Sequence, residues 1–288
     1  MEATDTVLTQ QVTASVNYTA RQTAPLHNYY LVDPPQGMPA SNEVLEAHDV
    51  TITSMRGLRQ TPQLDVQGFE LVPFSTSVGD IYDTAEREAV FNPEVAQFVK
   101  RHTGACEVRV FYPFLRGEEA QRRMPGSITA PAGTVHVDET HETGAATFEM
   151  VLGDDASRYR GHRFAIVNLW RPIVGPLQDR PLALCDAQSL SAEDLMSCRT
   201  VSRADERGLP TADGAIFETA IYSVAHSPRH RWYYVPDMMP DEALLLKNYD
   251  SQVEGVARFS PHTAFADPTT PANAPPRASI EIRCLVIW

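Results

Sequence analysis

Cysteine is scarce in this chain and never occurs in the spacing of a zinc or thiol redox motif. The four cysteines are Cys106, Cys185, Cys198 and Cys284, and no two of them are separated by only two residues. Each stands among apolar or mixed neighbours in the sequence. This distribution favours reduced thiols over disulfides or a cysteine-ligated zinc ion.

Long apolar runs and excess positive charge are also absent. No stretch approaches the ~18 apolar residues that span a bilayer. The first fifteen residues are polar and lack the basic start and apolar run of a signal peptide. The formal net charge is −13, so the phosphates of a nucleic acid would be repelled. We therefore expect a soluble cytoplasmic protein with a small-molecule substrate, no nucleic-acid partner and no membrane partner; a homodimer is left open.

Short strand-like segments make up most of the chain. They are apolar or alternate apolar with polar residues, and Pro, Gly and Asp turns separate them. The pattern is typical of an all-β sandwich or barrel, and such folds of 288 residues are often single domains. The segments are 14–18, 50–53, 69–72, 106–112, 127–128, the strand of His136, 163–170, 181–185, 216–222, 231–235, 243–247 and 279–288.

Helices are few in this interpretation. The clearest spans 83–104, with Asn92 as its cap, Pro93 in the first turn and Gly104 beyond its end. A shorter helix is predicted over 191–198. We expect one domain, 1–288, in which residues 1–104 form an N-terminal extension with a bracing helix and residues 105–288 form the core.

The segment Gly133-Thr134-Val135-His136-Val137-Asp138-Glu139 contains the strongest chemical signal. In a strand, residues two apart project from the same face, so His136 and Asp138 can converge on one point. Two histidines and one carboxylate on one face suit Fe(II) and leave coordination positions open. The pair is also compatible with a solvated strand edge, because the chain has nine histidines and many acidic residues.

A third ligand has to come from a histidine further along the chain. His262 is preferred because Arg277 follows it by fifteen residues, at the head of the last strand; His230 is the main alternative. A guanidinium can bind the far carboxylate of 2-oxoglutarate by bidentate pairing, and Ser279 lies on the same face as Arg277. Arg283 lies on the same face of the strand and is a third candidate for binding the cosubstrate. The remaining candidates are His141, His162 and His226.

Several motifs together resemble the AsaB/CmcJ-like hydroxylase/desaturase family of natural-product oxygenases, over roughly residues 105 to 288. The family includes the gibberellin desaturase and the novofumigatonin endoperoxide-forming oxygenase. The motifs are His136-Val137-Asp138, 168–173, 181–186, 230–234, 245–251, 261–265 and 277–283. In this chain the segment 251–261 before His262 is longer than in the wider oxygenase superfamily.

The resemblance implies a mainly β, double-stranded β-helix (jelly roll) enzyme with peripheral helices. It implies Fe(II) bound by His136, Asp138 and His262, and 2-oxoglutarate as cosubstrate, bound by Arg277 and Ser279. Oxidation of a substrate C–H bond would then give hydroxylation, desaturation, cyclisation or an endoperoxide. Two other classes stay open: a cupin-like metal protein without 2-oxoglutarate chemistry, and a partner subunit of a biosynthetic enzyme.

Five further side chains are candidates for the substrate pocket. Trp170 and Trp232 could line it, although aromatic residues in strands are more often core. Arg171 could contact an acidic group, and an ion pair with an aspartate is an equal alternative. Tyr112 and Arg116 precede the His136 strand and are expected at the pocket mouth.

Overall fold

Two β-sheets form the body of the molecule, with a few helices at the periphery. The computed structural model describes residues 10–30, 32–124, 129–203 and 216–288. In these ranges, fourteen strands form a nine-stranded and a five-stranded sheet. The mainly β jelly-roll prediction is confirmed.

Eight of the fourteen strands have nine or ten residues, so they are longer than most of the predicted segments. The strands are β1 (Gln11–Thr19), β2 (Leu26–Tyr30), β3 (Leu45–Ser54), β4 (Phe69–Pro73), β5 (Glu107–Arg116), β6 (His136–Val137), β7 (Phe164–Pro172), β8 (Leu182–Cys185), β9 (Leu195–Arg203), β10 (Ile216–Val224), β11 (Trp232–Tyr234), β12 (Glu242–Asp250), β13 (His262–Ala264) and β14 (Ser279–Ile287).

The order of the strands brings distant segments together. The larger sheet has the order β1-β3-β11-β8-β13-β6-β10-β9-β2, and the smaller has β4-β12-β7-β14-β5. Two very short strands, β6 and β13, are neighbours near the middle of the larger sheet. In the smaller sheet, β7, β12 and β14 are buried along almost their whole length, as their continuous apolar runs require.

The predicted helix over 83–104 is present, although it begins differently. α1 (Thr84–Glu86), a π-helical segment (Arg87–Phe91) and α2 (Asn92–Thr103) follow one another without a break. The cap is Asp83, whose carboxylate accepts a hydrogen bond from the Glu86 N–H at 2.8 Å. The prediction of Asn92 as a cap is therefore wrong. Gly104 ends the helix in the left-handed region, with φ of 70°, as predicted.

Helix α2 covers the outer face of the smaller sheet. Its buried Val95 and Val99 pack in one apolar cluster with Val108 of β5 and Val286 of β14. The remaining α-helices of the described chain are α3 (Glu118–Arg123) and α4 (His141–Leu152), and a 3-10 helix, Gly153–Tyr159, follows α4. Phe148 of α4 packs in one apolar cluster with Ile166 of β7. The bracing role expected for the first helix is what this packing provides.

The predictions for residues 191–198, for the segment 127–128 and for the N-terminal extension have different outcomes. Residues 191–198 do not form a helix: a single 3-10 turn, Ala192–Asp194, leads directly into β9. The segment 127–128 lies outside the described residues. Strands β1 to β4, from the predicted N-terminal extension, pair within the same two sheets as the later strands. The domain division itself stays a prediction.

Candidate metal centre

His136 and His262 are direct partners across adjacent strands. His136 of β6 pairs with His262 of β13 in antiparallel register, which places both side chains on one face of the sheet. The centroids of the two rings lie 4.4 Å apart. Asp138 follows β6 at once and points to the same side. One ligand atom from each of the three residues lies within 4.8 Å of the other two.

Both histidines hold the same ring nitrogen towards the centre. His136 Nδ1 lies 2.8 Å from the carbonyl oxygen of Thr134, and His262 Nδ1 lies 3.1 Å from that of Ser260. A carbonyl oxygen only accepts, so each Nδ1 carries the hydrogen and each Nε2 presents its lone pair. His262 Nε2 is buried and has no hydrogen-bond partner among the described residues. A metal ion would satisfy that atom.

The electrostatics of the site suit a divalent cation. Burial lowers the pKa of both histidines, and their mutual repulsion adds to the effect at His136, so both imidazoles are neutral at pH 7. Burial alone would raise the pKa of Asp138, but the charge of Arg283, together with the hydrogen bond from Asn168, outweighs it and holds the pKa well below its usual range. Two neutral imidazoles and one carboxylate are the donor set that non-heme Fe(II) takes.

The Asp138 carboxylate is held by a second layer of polar groups. Asn168 Nδ2 donates to Asp138 Oδ2 at 2.7 Å, and Arg283 Nη2 lies 3.0 Å from Asp138 Oδ1. The Asn248 amide oxygen accepts from the Asp138 N–H at 3.1 Å. Such contacts fix the orientation of a ligating carboxylate. Arg283, predicted to bind the cosubstrate, thus pairs with a candidate iron ligand.

Arg277 and Ser279 form a buried basic group at the head of β14. Arg277 Nε donates to Ser279 Oγ at 3.1 Å, and Nη1 donates to the Arg180 carbonyl at 2.9 Å. The guanidinium lies over the Trp170 ring, 4.9 Å from its centroid. Burial, and then repulsion from Arg116, lowers the pKa of Arg277 to about 9. A bound carboxylate would restore the stability of the cationic form.

One cavity joins the metal ligands to this basic group. Its volume is about 360 Å³, within the ~300–1,000 Å³ typical of small-molecule sites. His136, Asp138 and His262 line it, together with Arg277 and Arg283. Among the predicted substrate residues, Arg116 and Trp170 also line it.

Three predicted substrate residues lie elsewhere. Tyr112 donates its hydroxyl hydrogen to Met150 Sδ of α4 at 3.1 Å. Arg171 stacks on Phe74, with 5.8 Å from its guanidinium carbon to the ring centroid. Trp232 is buried and donates to the Tyr18 hydroxyl at 2.9 Å. Arg171 follows the cavity-lining Trp170, so it projects to the other face of β7, and the polar atom of Trp232 is bound in the core. Tyr112 has a φ of 45° and lies at an irregularity of β5, where the pairing with β14 passes from Pro113 to Phe111.

The other histidines lie apart from the cluster. Both ring nitrogens of His230 have partners, the Tyr18 hydroxyl at 3.1 Å and Asp194 Oδ2 at 3.4 Å, which removes His230 from the centre. His226 stacks on His48 with 3.8 Å between ring centroids. His162 Nδ1 contacts the Trp288 carbonyl at 2.5 Å. His141 packs edge-on against Phe259, at 5.0 Å between centroids.

The sequence interpretation missed two acidic residues that line the cavity, Glu281 and Glu43. Glu281 stands between Ser279 and Arg283 on the same face of β14, so the period of two that selected its neighbours also selects it. Burial, and then the charge of Asp138, raises its carboxyl pKa to about 7. Glu43 precedes β3, and no local signal marks it, because its surroundings come from three other strands.

Comparison with known protein families gives a match along almost the whole chain. A family model described as an oxidoreductase/YMDC permease-like domain matches residues 16–287.

In the described parts of the chain, no helix is both long and apolar enough to cross a membrane.

Curated relatives give a consistent picture. The Fe(II)/2-oxoglutarate-dependent dioxygenase nvfI of Aspergillus novofumigatus is 34% identical over 263 residues, 90% of each chain. The hydroxylase/desaturase efuI of Hormonema carpetanum is 33% identical and covers 83% of each chain. The hydroxylase/desaturase CTB9 of Cercospora beticola is 36% identical over 84% of this chain and 77% of its own.

A solved structure extends the likeness to three dimensions. The iron and alpha-ketoglutarate-dependent endoperoxidase NvfI superposes with a TM-score of 0.82 at 31% sequence identity. The match covers 97% of this chain and 98% of that one. The double-stranded β-helix is therefore common to both proteins.

Proposed function

The chain belongs to the hydroxylase/desaturase family of Fe(II)/2-oxoglutarate-dependent dioxygenases, and on that premise we propose that His136, Asp138 and His262 bind the iron. We further propose that Arg277 and Ser279 bind the far carboxylate of 2-oxoglutarate. The enzyme is an oxidoreductase that acts on a small molecule in natural-product, or secondary-metabolite, biosynthesis.

The observation that carries the ligand assignment is the buried Nε2 atom of His262. It has no hydrogen-bond partner among the described residues, and it belongs to a ring whose other nitrogen is fixed by a carbonyl. A buried polar atom without a partner costs about 1–3 kcal/mol, so it signals a missing ligand. The cross-strand pairing with His136 supports the same assignment.

When bound, iron and 2-oxoglutarate couple dioxygen reduction and decarboxylation of the keto acid to oxidation of a substrate C–H bond. The residues of this chain orient the reactants and exclude water. Arg277 supplies a planar group that is positive at pH 7 for a carboxylate. The Ser279 hydroxyl hydrogen can donate to the same carboxylate, because the Ser279 oxygen accepts from Arg277 Nε. The Trp170 ring packs against the face of the Arg277 guanidinium and stabilises its position.

Arg116 and Trp170 are the proposed substrate-side residues that remain from the sequence prediction. Both line the cavity. Trp170 is almost fully buried, so its cavity-facing surface suits an apolar part of the substrate. The proposed reaction is hydroxylation, desaturation, cyclisation or endoperoxide formation at a C–H bond. The names of the hydroxylase/desaturase and endoperoxidase relatives support the first, second and fourth of these outcomes.

An anaerobic titration tests the proposed centre. Fe(II) and then 2-oxoglutarate are added to wild type, His262→Ala and His230→Ala, and the weak visible charge-transfer band of the iron–keto acid chelate is recorded. We expect the band in wild type and in His230→Ala, whose ring lies in a separate network, and its loss in His262→Ala. A band that survives in His262→Ala and disappears in His230→Ala would contradict the assignment.

The cellular location and the oligomeric state are also part of this proposal. We propose a cytoplasmic location, which the four free cysteines support, because such thiols suit a reducing compartment. A homodimer stays a prediction; the adjacent exposed apolar side chains of Val44 and Leu45 support it. Sedimentation at micromolar concentration would test it.

A further inference from the structure

The cavity has two walls of different charge. Arg116 of β5 and Arg283 of β14 belong to the smaller sheet, and Arg277 lies just before β14. Among the described residues of this sheet, Glu281 is the one acidic side chain that lines the cavity. The opposite wall is formed by the larger sheet. It carries the carboxylate of Glu43 with the neutral polar side chains of Asn28, Tyr30, Thr200 and Ser202.

Register explains why the polar side chains share one face. In the parallel pairing of β2 with β9, Asn28 stands opposite Thr200 and Tyr30 opposite Ser202. All four therefore project to the same side of the sheet, towards the cavity that they line. Ile221 of β10 adds apolar surface to this wall, and Phe114 of β5 lines the cavity from the smaller sheet. The wall suits a molecule with an apolar body and a polar end.

Hydrogen bonds from three strands fix the Glu43 carboxylate. Glu43 Oε1 accepts from Thr19 Oγ1 of β1 at 3.0 Å and from Ser223 Oγ of β10 at 2.5 Å. Thr19 and Ser223 are both buried, at 0% and 1% exposure, so this oxygen is held inside the protein. From the part of the chain that the structure describes, Glu43 Oε2 accepts one long hydrogen bond, 3.4 Å, from Asn28 Nδ2.

The second oxygen therefore has acceptor capacity to spare. An ionised carboxylate offers about four lone-pair sites, and hydroxyl donors do not neutralise its charge. Among the described residues, no lysine, arginine or histidine forms an ion pair with Glu43. A half-buried carboxylate beside a cavity and without a counter-charge favours a ligand that donates hydrogen bonds or carries positive charge.

Glu43 is also close to the proposed iron. Ser223, which donates to Glu43, is the direct cross-strand partner of His136. Side chains of such partners have Cβ atoms ~4.5–5.5 Å apart on the same face. A group bound at Glu43 would place the adjoining carbon skeleton next to the iron ligands, on the wall opposite Arg277.

We propose that Glu43 is a specificity-determining residue that binds a hydrogen-bond-donating end of the substrate, an amine or a hydroxyl, and disfavours a carboxylate at that end. The proposal rests on the function proposed above, because it assumes that the cavity holds 2-oxoglutarate on its basic wall. It narrows the substrate class to apolar molecules with a donor group near the oxidised carbon.

Three probes with the same alkyl body test the proposal. Hexylamine, 1-hexanol and hexanoate are titrated separately into the anaerobic complex of the protein with Fe(II) and 2-oxoglutarate. The change in the visible band of the chelate gives a Kd for each probe. In wild type we expect hexylamine to bind about ten- to hundredfold more tightly than hexanoate, with 1-hexanol between them, because a hydrogen bond to a charged group is lost in the acid.

Matched variants separate Glu43 from other sources of preference. Glu43→Gln keeps the shape and the acceptors for Thr19 and Ser223 but removes the charge, so the ratio of the amine and acid Kd values should fall at least tenfold. Glu46→Gln makes the same change on the exposed face of β3 and should leave the ratio unchanged, because Glu46 lies outside the cavity. Thermal unfolding of each variant reports whether the fold is intact.

Two outcomes would overturn the proposal. One is equal or tighter binding of hexanoate by wild type, a result that needs no variant to fold. The other is a folded Glu43→Gln protein with the wild-type ratio, which is also what an amine bound directly to iron would give. If the chelate band never forms in wild type, the proposed function fails instead, so the two failures are distinguishable.

Discussion

Arg277→Gln should weaken 2-oxoglutarate binding without weakening the fold. The guanidinium is buried, and its low pKa reflects burial and the nearby charge of Arg116, so the cation is poorly compensated until an anion binds. The variant loses charge-assisted hydrogen bonds to the cosubstrate, each worth roughly 1.5–3 kcal/mol, and a glutamine amide replaces part of them. A net loss of about 3 kcal/mol corresponds to a Kd for 2-oxoglutarate raised about a hundredfold.

The assay is an anaerobic titration of the Fe(II)-loaded protein with 2-oxoglutarate, followed by the visible chelate band, with thermal unfolding of the cosubstrate-free protein beside it. Arg171→Gln is the matched control, because Arg171 is also a buried arginine but stacks on Phe74 outside the cavity. We expect an unchanged Kd for the control and an equal or higher Tm for Arg277→Gln. A wild-type Kd in Arg277→Gln, or an equal loss in the control, would refute the reasoning.

Three further outcomes are expected. Asn168→Ala removes the hydrogen bond to Asp138 Oδ2, so Fe(II) affinity, measured by metal titration, should fall about 10–100-fold. Burial, and then the charge of Asp138, raises the pKa of the Glu281 carboxyl from its ordinary value of 4.5 to about 7. The contribution of the protonated carboxyl to the stability of the iron-free protein is therefore full below pH 4.5 and is lost as the pH rises towards 7. Glu281→Gln should therefore raise the unfolding free energy at pH 8 by up to about 3 kcal/mol and change little at pH 4; an equal effect at both pH values would contradict this. Gly144→Ala places a Cβ 2.4 Å from the Tyr249 ring, so urea denaturation should show a loss of about 1–3 kcal/mol.

The sequence was most informative where spacing alone decides the geometry. His136 and Asp138 project together because they are two residues apart, and Arg277 and Ser279 do so for the same reason. The choice of His262 depended on its distance in sequence from Arg277. What the sequence could not show is the register that makes His262 the cross-strand partner of His136, since β6 and β13 are only two and three residues long.

Local pattern was least informative where tertiary pairing overrides it. Residues 191–198 have apolar positions that fit a helix, yet pairing with β10 and β2 makes the segment from Leu195 onward a strand. Asn92 and Pro93 look like a helix start, but a π-helical segment carries the helix through them from the Asp83 cap. Tyr112, Arg171 and Trp232 are aromatic or basic strand residues whose facing is decided by sheet register, and strand composition does not determine that.

Glu43 shows most clearly which features of the site a sequence motif cannot predict. Its three hydrogen-bond donors lie 24, 15 and 180 residues away along the chain. No short motif can encode such a group, because it exists only when β1, β2 and β10 come together.

A crystal structure of the protein grown anaerobically with Fe(II) and 2-oxoglutarate, with anomalous scattering recorded at the iron edge, tests the central claim most directly. The account predicts one iron peak within coordination distance of His136 Nε2, His262 Nε2 and an Asp138 carboxylate oxygen, and a keto acid whose far carboxylate meets Arg277 and Ser279. An iron peak at another group of histidines, such as His48, His226 and His230, or a cosubstrate carboxylate away from Arg277, would contradict it.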